Sequence, residues 1–289
     1  MKYIVLCVIA LIVCIVIGAG VSALIGRILR KRERTFSRPA FVLLTAVIAA
    51  AVICAVFFGY LGVYYHADET ALAALENDPD EADASGNGAA VTVTHEGDVW
   101  SFDGPGVRSA LIFYPGAKVE AAAYAPLMRD LAERGVDCFL AEMPFRMAIF
   151  GSDAASGIMT AHESDYENWF IGGHSLGGSI ASSYAADHAE ELTGLVLLAS
   201  YPSTQIDDGL ILFSAYGSED GCLDREAYEA SREYWPQASR VAEFVQAGGN
   251  HAQYGSYGPQ RGDGTAEISP EEQREQTARL IAEVIGSAD

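Results

Sequence analysis

No segment of this chain constrains its fold more than Trp169-Phe-Ile-Gly-Gly-His-Ser-Leu-Gly-Gly-Ser179. An apolar run ends in a glycine turn carrying Ser175, and a helix-compatible stretch, Ser179 to Asp187, follows at once. Strand, sharp turn, helix is the context that a Gly-x-Ser-x-Gly elbow requires. Glycines on either side let the backbone make a strained turn that lifts the serine hydroxyl above the sheet edge, within reach of a base and a substrate. The five-residue pattern alone is a weak signal. The strand before it and the helix after it give it weight.

A serine nucleophile needs a general base oriented by a carboxylate, and on such a sheet the partners follow in the order Ser, Asp or Glu, His. Of the six histidines, only His251 lies far enough beyond Ser175 to leave room for an acid between them. His188 falls at the end of the helix after the elbow, where capping suits it, and His174 is locked beside the nucleophile. His251 follows the strand-like Arg240–Gln246, so it falls at a strand's carboxyl end, the edge where α/β sheets bind ligands. The acid is expected at Asp220, in a turn after the buried strand Leu210–Tyr216, with the adjacent Glu219 as the alternative. A tetrahedral intermediate also needs two backbone N–H donors. Leu176 supplies one. The loop after the strand Ser109–Tyr114 supplies the other, at Ala117 or, failing that, Lys118.

Four motifs carry a resemblance: Tyr-Pro-Gly-Ala-Lys-Val (114–119), Gly-Gly-His-Ser-Leu-Gly-Gly (172–178), Tyr-Gly-Ser-Glu-Asp-Gly (216–221) and Gly-Gly-Asn-His-Ala-Gln (248–253). Over roughly residues 90–288 the chain resembles the α/β-hydrolase superfamily, and most nearly its small, lidless, dienelactone-hydrolase-like members. The resemblance implies Ser175 as nucleophile, Asp220 as acid, His251 as base, and Ala117 and Leu176 as oxyanion donors. Dienelactone hydrolases proper use a cysteine nucleophile, so the serine separates this chain from their substrate.

Other uses of a glycine turn fit less well. Gly172 and Gly177 have the spacing of a phosphate loop, but Gly178 stands where its lysine belongs. The middle glycine of a dinucleotide fingerprint would fall on His174. No Cys/His pairing has zinc spacing. No nucleotide, metal or other cofactor is expected.

The first sixty-odd residues are different material. Residues 3–25 and 41–65 form two runs without a charge, each about 34 Å long as a helix and so long enough for a hydrocarbon core of about 30 Å. The first is too long for a signal-peptide core. Between them, residues 26–39 carry Arg27, Arg30, Lys31, Arg32, Arg34 and Arg38 against a lone Glu33, and so basic a loop stays cytoplasmic. Two membrane spans (residues 1–66), an outward-facing domain at 91–289 and an acidic flexible linker at 67–90 are therefore expected. From residue 64 onward the chain holds 38 acids and 11 bases, a net charge of −27. That field repels nucleic acid and anionic headgroups. Cys138 and Cys222 fall on segments that should lie apart, so no disulfide framework is expected.

Strand and helix patterns alternate after an opening hairpin at 91–102: strands at 109–114, 136–142, 169–172, 194–199, 210–216 and 240–246, with helices near 119–134, 146–160, 224–235 and 270–286 between and after them. Such alternation makes an α/β fold, a mostly parallel sheet covered on both faces. Only residues 200–209 separate two strands where larger hydrolases insert a cap, so the site should be open. Lys118 and Arg146, each following a strand at the same edge, are candidates to bind a substrate carboxylate or phosphate. The expected activity is cleavage of a small-molecule ester or related acyl bond. The alternative is a non-catalytic binding module on the same fold.

Overall fold

The computed structural model describes residues 16–28, 37–77, 91–106, 108–236 and 240–288. It divides into two compact units, Met1–Val63 and Tyr64–Asp289.

In the first unit, a helix α1 covers Val16–Ile28 and a helix α2 covers Arg38–Leu61. Pro39 stands in the first turn of α2, where its missing N–H costs nothing, and Gly62 closes the other end by returning its N–H to the Phe58 carbonyl. Inside α2, the Thr45 hydroxyl donates to the Phe41 carbonyl, so the one hydroxyl in its first half has a partner within the helix. At 24 residues, α2 is long and apolar enough to cross a bilayer. It replaces the expected 41–65 run, starting three residues earlier and stopping four earlier. Of the expected 3–25 span, residues 3–15 lie outside the described residues, and α1 runs on to Ile28, into the stretch expected as loop. Among the described residues only α2 passes as a span, so the two-helix hairpin is not supported.

The second unit is built on one eight-stranded sheet in the order β1-β2-β4-β3-β5-β6-β7-β8. A hairpin opens it: β1 (Thr92–Glu96) and β2 (Val99–Asp103) turn at Gly97, whose φ of +60° suits glycine. Strand β2 pairs antiparallel with β4 (Asp137–Ala141). From there β3 (Ser109–Tyr114), β5 (Asn168–His174), β6 (Gly194–Leu198), β7 (Ile211–Gly217) and β8 (Val241–Gln246) are parallel. The central strands are buried along their whole length, as continuous apolar runs such as Ser-Ala-Leu-Ile-Phe-Tyr demand, because helices cover both faces. Alternation sends Leu111 and Phe113 to a core with Met128, Leu131 and Ile281, and Ala110, Ile112 and Tyr114 to a second core with Ile158 and Ala181.

Two expected helices are broken. The 119–134 helix is a 3-10 turn (Ala121–Tyr124) followed by α4 (Ala125–Ala132), with Pro126 at the start of the α-helical part. The 146–160 helix is two 3-10 turns, Pro144–Arg146 and Ala148–Phe150, before α5 (Ala154–Ala161). Phe145 and Arg146 have φ of 54° and 57°, which an α-helix cannot contain. Helix α6 (Leu176–Asp187) follows the elbow, and α7 (Arg225–Ala230) continues as a 3-10 turn to Tyr234. The last helix, α8 (Pro270–Gly286), is the one expected at 270–286, with the Ser269 side chain accepting from the Glu272 N–H at 3.1 Å. Residues 199–210, between β6 and β7, form a loop without a cap.

The expected linker is also corrected. Asp68 caps a short helix, α3 (Glu69–Ala73), by accepting from the Ala71 N–H at 3.0 Å. Arg129 donates to the carbonyls of Ala74 and Glu76, and Asn77 pairs in both directions with the backbone of Val93. A short helix at residues 70–76 is compatible with the sequence, but its anchors are single polar contacts made from distant parts of the chain, which the sequence does not show. The folded unit begins at Tyr64, not at residue 91. Residues 78–90 lie outside the described residues.

Candidate active site

Ser175 stands at the junction of β5 and α6 with φ 53° and ψ −125°, a conformation costly for any residue but glycine. Three contacts hold it there. Its N–H donates to the Leu198 carbonyl at 2.9 Å, its carbonyl accepts from the Ser200 hydroxyl at 2.8 Å, and Ser200 is bonded in turn to the Ser179 hydroxyl at 3.1 Å. Gly177 lets the elbow sit against β3, because a Cβ there would overlap the Tyr114 carbonyl. Ser175 itself is half-buried.

The loops after β7 and β8 bring Asp220 and His251 together. Asp220 Oδ2 meets His251 Nδ1 at 2.9 Å, and Asp220 Oδ1 accepts from the N–H groups of Cys222 and Leu223, each at 2.8 Å. Both side chains are buried, at 0% and 2% exposure. This contact orients the imidazole with its proton on Nδ1, facing the carboxylate, and a lone pair on Nε2. Glu219, the alternative acid, is instead bonded to the Ser218 hydroxyl at 2.9 Å. Among the described residues Ser175 and His251 share no hydrogen bond. They are brought near through His174, next to Ser175 in the chain, whose ring centroid lies 4.4 Å from that of His251.

His174 does more than adjoin Ser175. Its Nδ1 is bonded to the Tyr124 hydroxyl at 2.8 Å, and that hydroxyl accepts from the Gly116 N–H at 3.0 Å. Nε2 is sealed beside the His251 backbone. Burial, and then the neighbouring His251, push the His174 pKa well below its ordinary value, so the ring is neutral. The arrangement satisfying most atoms has Tyr124 donating to Nδ1 and the His174 proton on Nε2. Gly116 permits the approach, since a Cβ there would lie 2.9 Å from both His174 Nδ1 and the Tyr124 oxygen. One buried pair thus ties the loop after β3 to the loop that carries His251.

Two further residues escaped the sequence reading. Asp263 Oδ1 accepts from the N–H groups of Gly221 (3.0 Å) and His251 (3.2 Å), and its Oδ2 from that of Ala252 (2.8 Å). It clasps the acid loop and the base loop to each other. From helix α8, the Gln273 amide clasps the backbone of Asn250, accepting from its N–H at 3.0 Å and donating to its carbonyl at 2.8 Å. The Gly262-Asp-Gly264 turn was a faint signal for Asp263. Nothing local marked Gln273, whose role depends on a loop 23 residues earlier in the chain.

Of the two oxyanion candidates after β3, the Lys118 N–H is taken by the Arg146 carbonyl at 2.8 Å, which removes it as a donor. Neither the Ala117 nor the Leu176 N–H meets an acceptor among the described residues. Lys118 and Arg146 do come together, though through the main chain, and the Arg146 guanidinium lies 3.5 Å over the Tyr64 ring. The ligand atoms of Asp220, Cys222 and His251 lie within 4.8 Å of one another, close enough to hold a metal ion. The hydrogen bond between Asp220 and His251 already accounts for the closeness of those two, and burial raises the Cys222 thiol pKa, which opposes the thiolate a metal needs.

A family model described as the alpha/beta hydrolase family matches residues 110–275, more than half of the chain. The chain belongs to that family. The turn at Ser175 and the loops that carry Asp220 and His251 all fall inside the matched stretch, as do the strands β4 to β8. No curated protein matches the sequence. Among solved structures, the hydrolase unit resembles a predicted CIB-like hydrolase from Thermoplasma acidophilum at 13% identity and a TM-score of 0.50, covering 68% of this chain and 100% of that one. TT1662 from Thermus thermophilus (15%, 0.49, 68% and 98%) and Est1E from Butyrivibrio proteoclasticus (14%, 0.48, 68% and 99%) are also similar. At such identities the likeness concerns the fold.

Proposed function

We propose that this alpha/beta hydrolase is a membrane-anchored serine hydrolase that cleaves an ester or related acyl bond through an acyl-enzyme. The observation that carries the proposal is the buried Asp220–His251 pair at 2.9 Å, on the loops that follow the elbow strand in the family's order. Ser175 Oγ attacks the carbonyl carbon and passes its proton to His251 Nε2. The resulting oxyanion is met by the N–H groups of Ala117 and Leu176. Collapse of the tetrahedral intermediate expels the alcohol, which takes the proton from His251. Water, deprotonated by the same nitrogen, then releases the acid and restores Ser175. Asp220 holds the ring in place and stabilises the imidazolium. The loop between β6 and β7 adds no cap, which fits the small dienelactone-hydrolase-like branch and an open site.

The same proposal places the chain in the membrane with two spans, one at about residues 3–25 and one formed by α2, and holds residues 26–39 in the cytoplasm by their six basic side chains. The hydrolase unit then faces outward. Lys118, at the rim, meets an anionic group on the substrate, with Arg146 as its neighbour. The test is labelling of the full chain by a fluorophosphonate, which reacts readily only with an activated serine. Labelling is expected in the wild type and not in Ser175→Ala. Equal labelling of the two would refute the nucleophile assignment.

A further inference from the structure

The turns after β4 present an apolar surface that the mechanism above does not use. Phe145, Ile149 and Phe150 are 50%, 57% and 50% exposed, and they account for three of the five exposed large hydrophobic residues described beyond residue 63. The other two, Leu72 and Val245, are isolated from them in sequence. The remaining surface belongs to a unit with 38 acids and 11 bases, where three adjacent apolar side chains are an exception.

The backbone is held so as to keep them outside. Phe145 and Arg146 are consecutive left-handed residues and neither is glycine. The Arg146 N–H donates to the Met143 carbonyl at 2.8 Å, and the Arg146 carbonyl accepts from Lys118 at 2.8 Å. The Arg146 guanidinium is stacked on Tyr64, and the Tyr114 hydroxyl donates to the Ser152 carbonyl at 3.0 Å. The two phenylalanine rings meet edge to face, 5.8 Å apart. A loop that only linked β4 to α5 would have no reason to adopt this conformation. It adjoins the candidate site on two sides: Arg146 is bonded to the loop that carries Ala117, and the turn Ala148–Phe150 packs on α6, whose first residue follows Ser175.

We propose that Phe145, Ile149 and Phe150 bind the acyl chain of the substrate, so that the preferred substrates are esters of medium- or long-chain fatty acids. This rests on Ser175 as the nucleophile. A chain lying on the patch gains by the methylenes it removes from water, up to about four-fold in kcat/KM for each one fully buried. An acetyl group has no further methylenes to lay on the patch, so it serves as the reference.

The experiment uses the full chain in lipid nanodiscs, as wild type and as Ile149→Ser with Phe150→Ser, assayed on p-nitrophenyl acetate and octanoate. In the double variant the octanoate-to-acetate ratio of kcat/KM is expected to fall ten-fold or more, chiefly through KM, with Phe150→Leu restoring most of it. A ratio within two-fold of wild type overturns the proposal. So does a fall accompanied by a change of oligomeric state, which would assign the patch to a second copy of the chain. Relative labelling rates with decyl and methyl fluorophosphonates give the same ratio for an enzyme that turns over neither ester. If Ser175→Ala is labelled as fast as wild type, the fault lies with the nucleophile assignment and not with the patch.

Discussion

At the scale of single residues, the candidate site is a set of polar side chains that each tie two loops together. Ser175→Ala should abolish hydrolysis of a short p-nitrophenyl ester, His251→Ala should cost nearly as much, and Asp220→Asn should be severe, because such groups act as a unit. Asp263 touches no reacting atom in this scheme. It positions the acid and base loops through four backbone N–H groups, counting that of Gly264. Asp263→Asn is expected to lower kcat about ten-fold or more with KM little changed and circular dichroism intact. A change confined to thermal stability would reduce Asp263 to a structural role. His174 offers a pH signature. Its folded-state pKa is depressed, whereas the unfolded histidine takes up a proton near its ordinary value of about 6.5. Below that pH the unfolded state binds the extra proton, and stability falls by up to about 1.4 kcal/mol per pH unit from this group. Denaturant titrations at pH 7.5 and 5.5 should therefore show a smaller loss in His174→Gln than in wild type. An equal or larger loss in the variant would mean that His174 is not held neutral.

At the scale of elements, the segment just after α2 belongs to the hydrolase unit. Tyr65 forms a parallel bridge with Val119, donating to the Lys118 carbonyl at 2.7 Å and accepting from the Glu120 N–H at 3.0 Å. The Glu120 carboxylate caps the next turn by accepting from the Ala67 N–H at 2.8 Å. This strap holds the loop that carries Ala117, with Tyr64 stacked on Arg146 beside it. A fragment starting at residue 64 should therefore keep its activity, while one starting at 91 should lose at least about ten-fold in kcat/KM and several degrees in Tm. Equal activity of the two fragments would show that the strap leaves the site unaffected. The resemblance carried by the four motifs covers roughly residues 90–288, and this contact lies before it.

At the scale of the whole molecule, charge and hydropathy decide location. The basic residues between 26 and 39 should keep that segment in the cytoplasm, so an epitope after residue 289 should be accessible to antibody on intact spheroplasts. Accessibility only after permeabilisation would reverse the orientation. The net charge of −27 beyond residue 63 also predicts a salt effect: KM for an ester bearing a free carboxylate should fall as ionic strength rises, with the neutral analogue unaffected. Lys118→Met should raise KM for the charged ester about ten-fold if that side chain meets the anion. It is the cleaner variant, because Arg146 is also spent on Tyr64.

The sequence by itself determined the sheet and the chain order of the site. Continuous apolar runs become buried parallel strands wherever helices cover both faces, and β3, β5, β6 and β7 are such runs. The elbow was legible because strand, glycines, serine and helix are consecutive. The last helix was legible because Ser269 and Pro270 are local signals. What only the tertiary structure decided depends on groups far apart in the chain. Asp220 rather than Glu219 meets His251 because Glu219 turns to Ser218, while two N–H groups of its own turn orient the Asp220 carboxylate. Lys118 ceases to be an oxyanion donor because a carbonyl 28 positions on takes its N–H. His174 changes from a neighbour of Ser175 to a buried brace once Tyr124 and His251 close around it. The acidic stretch after residue 66 reads as spacer until Arg129 and Asn77 bind it to the unit. Local order follows from propensity and periodicity, which neighbours in sequence carry. Pairing of polar groups follows from burial, which only the folded chain defines.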